Sequence, residues 1–492
     1  MKILFHGKLR GSVTVYLALT FCVLSSLMFA LIFSVKVNAG RMQAANSIDQ
    51  AMYSLFAKYD QRLEAKYGLF FIDAGGGQVG PDLAACISEI EDASDRLLCP
   101  NDGLPFLKGM NLLRLERLRC SVTGCLLATD AGGAAFASQA EQAVLDTCGI
   151  RSISRLKELL AGFSETGESG KELLKRSGET SYSDIREESG RVKRELAEQA
   201  AEEGTEVPEV LPPPGFVNPI PYLQDLMSRS VLDIAAPEGV SAKEADLSLF
   251  VSGRTLSAGF GIQPGRKAGR SQAFRTFLMK NFSNYDVPSE NSALMYQLEY
   301  ILCGKNSDLA NMKEVVKRLM AVREAANIAC IYRDPRLTEE VSSIASIIAA
   351  VLLVPEAEEA IRLLLAAGWA YAESIADIRA LFLDKRVSLI KSGDYWQTDL
   401  SRITEFSGDL DSLTVTDPYG LNYEEYLGIL LLKNGKNAVA RAMDMAESEI
   451  RGEGREDFRL DHCIAALDTE TEILSEGKVR FLVRKSLSYE DL

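Results

Sequence analysis

Residues 11–35 read GSVTVYLALTFCVLSSLMFALIFSV, a run with no acid and no base. A helix of that length rises about 37 Å, enough to cross a ~30 Å hydrocarbon core with some tilt. Lys2, Lys8 and Arg10 precede the run, and Lys36 and Arg41 follow it. The balance favours residues 1–10 in the cytoplasm and the bulk of the chain outside. The predicted localisation is therefore the cell membrane, in a single pass. A cleaved secretory signal is the alternative, because Val37-Asn38-Ala39 has the small residues of a cleavage site. Against it, the apolar run is about twice the length of a signal core and Lys36 stands before the site.

Thr14, Ala18, Cys22, Ser26, Ala30 and Ser34 recur every fourth residue along the span. Small residues let helix backbones approach closely in lipid, where packing drives association. A step of four drifts ~40° on a 3.6-residue helix, so this row is an inclined ridge suited to a crossing contact. The predicted partners are the lipid bilayer and other membrane or pilus-assembly proteins, a second copy of the chain being one candidate.

Beyond the membrane, Met42, Ala45, Ile48, Met52, Leu55, Tyr59 and Leu63 recur at steps of three and four, opposite Arg41, Asp49, Lys58 and Arg62. One amphipathic stem is expected to about Lys66, ended by Gly68. Leu69-Phe70-Phe71-Ile72 then reads as a buried strand. An anchor, an amphipathic helix and a strand in that order is a pilin-like layout.

GSVTVYLAL at 11–19 and AANSIDQAMYSLFAKYDQRLEAKYGLFFID at 44–73 resemble the start of TadE/TadG-like proteins of tight-adherence pilus systems. The chain more closely resembles an uncharacterised membrane-protein family of Gram-positive bacteria. YQLEYILCGKNSD (296–308), RLMAVREAANI (318–328), LLLAAGWAYAESIADIRAL (363–381) and LNYEEYL (421–427) carry that likeness. It implies a structural or assembly role in a pilus, secretion or envelope system. One position departs from the pilin pattern: five residues after Gly11, where pilins carry Glu, stands Tyr16.

The rest of the chain divides by composition and period. Residues 36–150 hold the stem and early strands, including one over 117–128. Asp130 is a predicted N-cap for a helix ending at Gly149. Residues 151–215 read as a charged flexible linker, since acids outnumber bases and Tyr182 is the only aromatic after residue 164. Pro212-Pro213-Pro214 would close it as a stiff segment. Residues 216–450 read as an antiparallel helical bundle, with helices over 337–353 and 356–383 separated by Pro355 and one over 423–450 that Gly435 could kink. In 451–492 the alternation around Phe458–Ala466 and Val479–Val483 predicts a β-hairpin. The fold class is α+β: a transmembrane helix, a pilin-like α/β unit, an inserted bundle and a C-terminal hairpin.

Charge and chemistry narrow the function. Lys and Arg total 54 against 69 Asp and Glu, a net charge of −15 that argues against nucleic-acid binding. His6 and His462 are the only histidines. No catalytic, cofactor or metal residue is predicted, and the chain reads as a non-enzyme. Glu299, Arg323, Glu373, Asp377 and Arg379 fall on helices that should be buried. Structural ion pairing is the reading adopted, because unpaired buried charge is costly; a ligand pocket at this core is the alternative. Of nine cysteines, Cys120 and Cys125 could close a disulfide across a strand turn.

Overall fold

A computed structural model of the chain describes residues 10–75, 80–98, 115–147, 151–205, 210–236, 239–263, 271–406, 410, 417–434, 437–475 and 478–489. The chain forms two compact units, each drawing on separate stretches of sequence. The first takes residues 1–139, 255–267 and 457–492; the second takes 140–254 and 268–456. The predicted α+β class holds.

The first unit begins with α1 (Arg10–Phe56), one helix that changes character along its length. Large side chains from Val13 to Val35 are exposed on every face. From Ala44 the helix turns one face inward, burying Ala44, Ile48, Ala51, Met52, Leu55 and Phe56. The predicted stem does not reach Lys66 unbroken. Asp60 interrupts it by capping α2 (Gln61–Tyr67), accepting the Arg62 and Leu63 backbone N–H groups at 3.0 and 2.9 Å. Gly68 ends α2 at φ 66°, as the sequence predicts.

Four antiparallel strands back this stem: β1 (Ile72–Asp73), β2 (Glu116–Leu127), β3 (Cys463–Leu474) and β4 (Arg480–Ser488). β3 is central. It pairs with β2 through Cys120↔Thr471, with β1 through Ile72↔Ile464, and with β4 through Thr471↔Val483. From Leu467 on, the odd residues of β3 are buried, while Glu470 and Glu472 reach Arg484 and Arg480 across the strand pair. Helix α3 (Leu83–Leu98) contributes Cys86, Ile90 and Leu98 to the same core. The predicted hairpin is present, but its first strand starts at Cys463. Leu460–His462 form a 3-10 turn, where Asp461 accepts the Ser257 N–H at 3.0 Å.

Asp130 does not cap a helix directly. In α4 (Asp130–Thr147) the chain first passes through a left-handed turn at Ala131, Gly132 and Gly133, with φ of 52°, 76° and 82°. The Asp130 carboxylate instead accepts N–H groups from Leu127 at 2.7 Å and Gly259 at 3.0 Å.

The second unit is helical. Its centre is α11 (Asp308–Arg333) against α13 (Glu358–Phe382), with α12 (Pro335–Leu352) between them in sequence. Around them lie α7 (Ile220–Ser228), α8 (Val231–Ala235), α9 (Gln272–Asn281) and α10 (Gln297–Cys303). The span read as a single helix over 423–450 is α14 (Tyr423–Asn434) and α15 (Ala438–Gly452). Gly435 lies outside the described residues.

The flexible linker predicted over 151–215 is corrected. Two helices occupy most of it, α5 (Arg151–Gly178) and α6 (Tyr182–Glu203). Phe163, Ser177, Tyr182, Ile185 and Ser189 are buried, and Gly170 lies so close to the Ala325 carbonyl that a Cβ would not fit. Ser189 donates to the Leu352 carbonyl at 2.6 Å. Mean composition hid this inner face because sparse apolar residues suffice when each falls inward.

The two backbone environments have opposite responses to alanine. Gly132→Ala, with open space at its Cβ but φ of 76°, is expected to lose about 1 kcal/mol in denaturant unfolding. Gly190→Ala, on the exposed side of α6, is expected to gain about 1 kcal/mol. No change at Gly190 would return 182–203 to the linker reading.

Candidate functional site

The heart of the second unit is a closed set of charges. Arg323 and Asn327 lie four apart on α11, and Glu373 and Asp377 four apart on α13, so each pair shares one helix face. Lys391 enters from the segment after α13. All five are buried.

Asp377 Oδ2 accepts from Arg323 Nε and Nη2 at 3.0 and 2.8 Å and from Asn327 Nδ2 at 2.9 Å. Its Oδ1 accepts from Lys391 Nζ at 2.6 Å. Lys391 also donates to Glu373 Oε1, which further accepts the Gln397 N–H at 2.9 Å. Glu373 Oε2 accepts from the Thr398 N–H and hydroxyl at 2.9 and 2.7 Å. Arg323 Nη1 donates to the Ser388 carbonyl at 2.6 Å and to the Tyr426 hydroxyl at 3.0 Å. Trp369 and Trp396 meet edge to face beside it, 5.0 Å between centroids.

Two cations face two carboxylates, so the group is neutral as a whole. Burial alone would raise the Asp377 carboxyl; Arg323 and Lys391 outweigh it and hold the group below the usual carboxylate range. Burial alone would lower the Lys391 ammonium; Asp377 and Glu373 outweigh it and hold the group above the usual lysine range. The depressed acid stabilises the fold above its unfolded pKa and loses that contribution in acid. The raised base stabilises below its unfolded pKa and loses that contribution in strong alkali. Between those limits the network pins the segment around Ser388–Thr398 onto α11 and α13.

Of the five predicted residues, Arg323, Glu373 and Asp377 meet, as pairing predicts. Arg379 stands apart, donating to the Ala235 carbonyl at 3.3 Å. Glu299 is also separate. Its Oε1 accepts from the Tyr285 N–H and the Tyr423 hydroxyl, each at 2.9 Å, while Oε2 has no hydrogen-bond partner among the described residues. Burial pushes this carboxyl up to about 7, against the lowering effect of those hydrogen bonds. Lys391 was missed by sequence. Its signal was the alternation Val387, Leu389, Lys391, whose three members are all buried.

The ridge residues Thr14, Ala18, Cys22, Ser26, Ala30 and Ser34 are exposed along the apolar part of α1. The disulfide expectation fails: Cys120 and Cys125 are both free thiols on β2. Five strand residues span roughly 16 Å, beyond disulfide reach. Cys99 and Cys148 lie outside the described residues. His462 sits in the buried 3-10 turn rather than on a strand face.

These features define a two-unit α+β protein with one long, apolar N-terminal helix and a helical body closed around buried ion pairs. Residues 213–475 match a family of unknown function, DUF5702, over more than half of the chain, and the protein belongs to that family. The match spans Arg323, Glu373, Asp377 and Lys391 but leaves out α1. No curated protein and no solved structure matches the chain.

Lys391→Met would leave Glu373 and Asp377 short of compensating charge. Unfolding in denaturant should register a loss of about 3–5 kcal/mol. Glu299 supplies a pH-dependent counterpart. Its folded pKa exceeds its unfolded value of about 4.3, so its contribution is full below about pH 4 and is lost as pH rises from there through about 7, by on the order of 3 kcal/mol. Glu299→Gln should flatten the stability profile between about pH 4 and 7; an unchanged profile would refute the assignment.

Proposed function

We propose that the protein is a single-pass, membrane-anchored structural or assembly component of a bacterial pilus, secretion or cell-envelope system. Its N-terminus is cytoplasmic, its two units lie outside, and it acts through helix packing and protein contacts. The observation that carries this reading is the continuity of α1. Its outer half exposes Leu17, Phe21, Leu24, Phe29 and Phe33 on all sides, whereas its inner half is built into the core of the first unit. A helix apolar all round is stable in lipid or against other apolar helices.

The same helix runs without a break through Val37-Asn38-Ala39, which supports an anchor over a cleaved signal. The likeness of 11–19 and 44–73 to TadE/TadG-like proteins supports an assembly role. Tyr16 in place of the pilin Glu weighs against a major pilin subunit. The charge network supports a structural role for the second unit, since its carboxylate oxygens are taken up by protein donors.

Replacing Ala18, Ser26 and Ala30 together with Leu would fill the ridge while keeping the span apolar. Native gel electrophoresis of detergent-extracted membranes should then show loss of the higher-mass complexes of the full chain, with the protein still in the membrane fraction. Complexes of unchanged size would sink the packing role.

A further inference from the structure

A cavity in the helical unit has a different character from the closed charge network. It measures about 500 Å³ and lies along one face of α11, walled by α8 and by Tyr371 of α13. Val231, Leu232, Val316 and Met320 form an apolar floor. Three ionisable side chains line the same cavity: Glu324, and Lys313 and Lys317 at its solvent-exposed rim. Among the described residues none of the three makes an ion pair or a side-chain hydrogen bond. Glu324 is half-buried, and burial alone pushes its carboxyl up to about 7.

Leaving a half-hidden carboxyl without a donor costs free energy, and such uncompensated groups concentrate at sites that meet a ligand. The charges are also ordered. Lys313 and Lys317 are one turn apart, and Glu324 follows Lys317 by seven residues, about 10 Å along the helix. An occupant with one charge would leave the other end unpaired. An occupant as short as a single amino acid could not reach both ends. An extended tripeptide spans about 10 Å and carries an ammonium and a carboxylate at its two ends.

We propose that this cavity binds a short apolar peptide with free termini, its ammonium on Glu324, its carboxylate on Lys313 and Lys317, and its side chains on the floor of Val231, Leu232, Val316 and Met320. The site is independent of the membrane-anchoring role and stands or falls without it.

Calorimetric titration of the full chain in detergent with the tripeptide Leu-Ala-Leu tests this. The free peptide should bind saturably. N-acetylation and C-amidation should each weaken binding by about tenfold or more, as loss of a charged contact does. In Glu324→Gln the acetylated and free peptides should bind alike. In Lys313→Met/Lys317→Met the amidated and free peptides should bind alike. Neither variant should lower the melting temperature, since these side chains have no protein partner to lose. No saturable binding of the free peptide, indifference to capping, or tighter binding of dodecanoate than of the peptide would each overturn the proposal.

Discussion

The constraint on which the first unit depends is that one unbroken helix carries two kinds of surface. Residues 13–35 of α1 present apolar side chains in every direction, while residues 44–56 present one apolar face and one polar face. The backbone hydrogen bonds do not change between the halves, so the helix is stiff across the transition. Its inner half is fixed against α3 and the sheet by Ile48, Met52 and Leu55, and Lys485 meets Asp49 on the flank at 2.5 Å. The orientation of the apolar half is thereby set by the packing of the sheet.

The second unit is organised by a different balance. Removing two cations and two carboxylates from water is expensive, and only dense hydrogen bonding makes it tolerable. Here Asp377 takes up four donors, and Glu373 meets Lys391, a backbone N–H and both donors of Thr398. An apolar core of the same volume would serve stability as well. What the charges add is geometry: the directional fork of Arg323 fits one placement of Asp377, and with it one register of α11 on α13.

The sequence was most legible where a signal is local. Pro355 between two apolar helices, Gly68 at a left-handed cap, and the alternation of Val479–Val483 each translate directly into backbone structure. It was least legible where the partner is distant. Nothing near Asp130 announces that Gly259 will occupy its carboxylate and that a left-handed turn will intervene before the helix. The charge of 165–203 masked an inner face because averages over a window discard phase. At the charge network, Arg323, Glu373 and Asp377 were visible as charges on apolar helices, whereas Lys391 lies in an irregular segment, marked only by its short alternation with Val387 and Leu389. Glu299 looked like a member of the same cluster because sequence gives burial but not neighbours.

The sheet of the first unit joins the two ends of the chain: β3 and β4 lie more than 330 residues after β2 and more than 400 after α1. At the ~5–20 residues per second of synthesis, about 20–80 seconds separate the emergence of α1 from that of the strands which cover its inner face. During that interval Ile48, Met52 and Leu55 have only α3 and β2 to pack against, and the second unit has already been made. Helix α1 is thus made long before the strands that complete its cover, so the period in which its amphipathic half is open to other chains is written into the order of the strands.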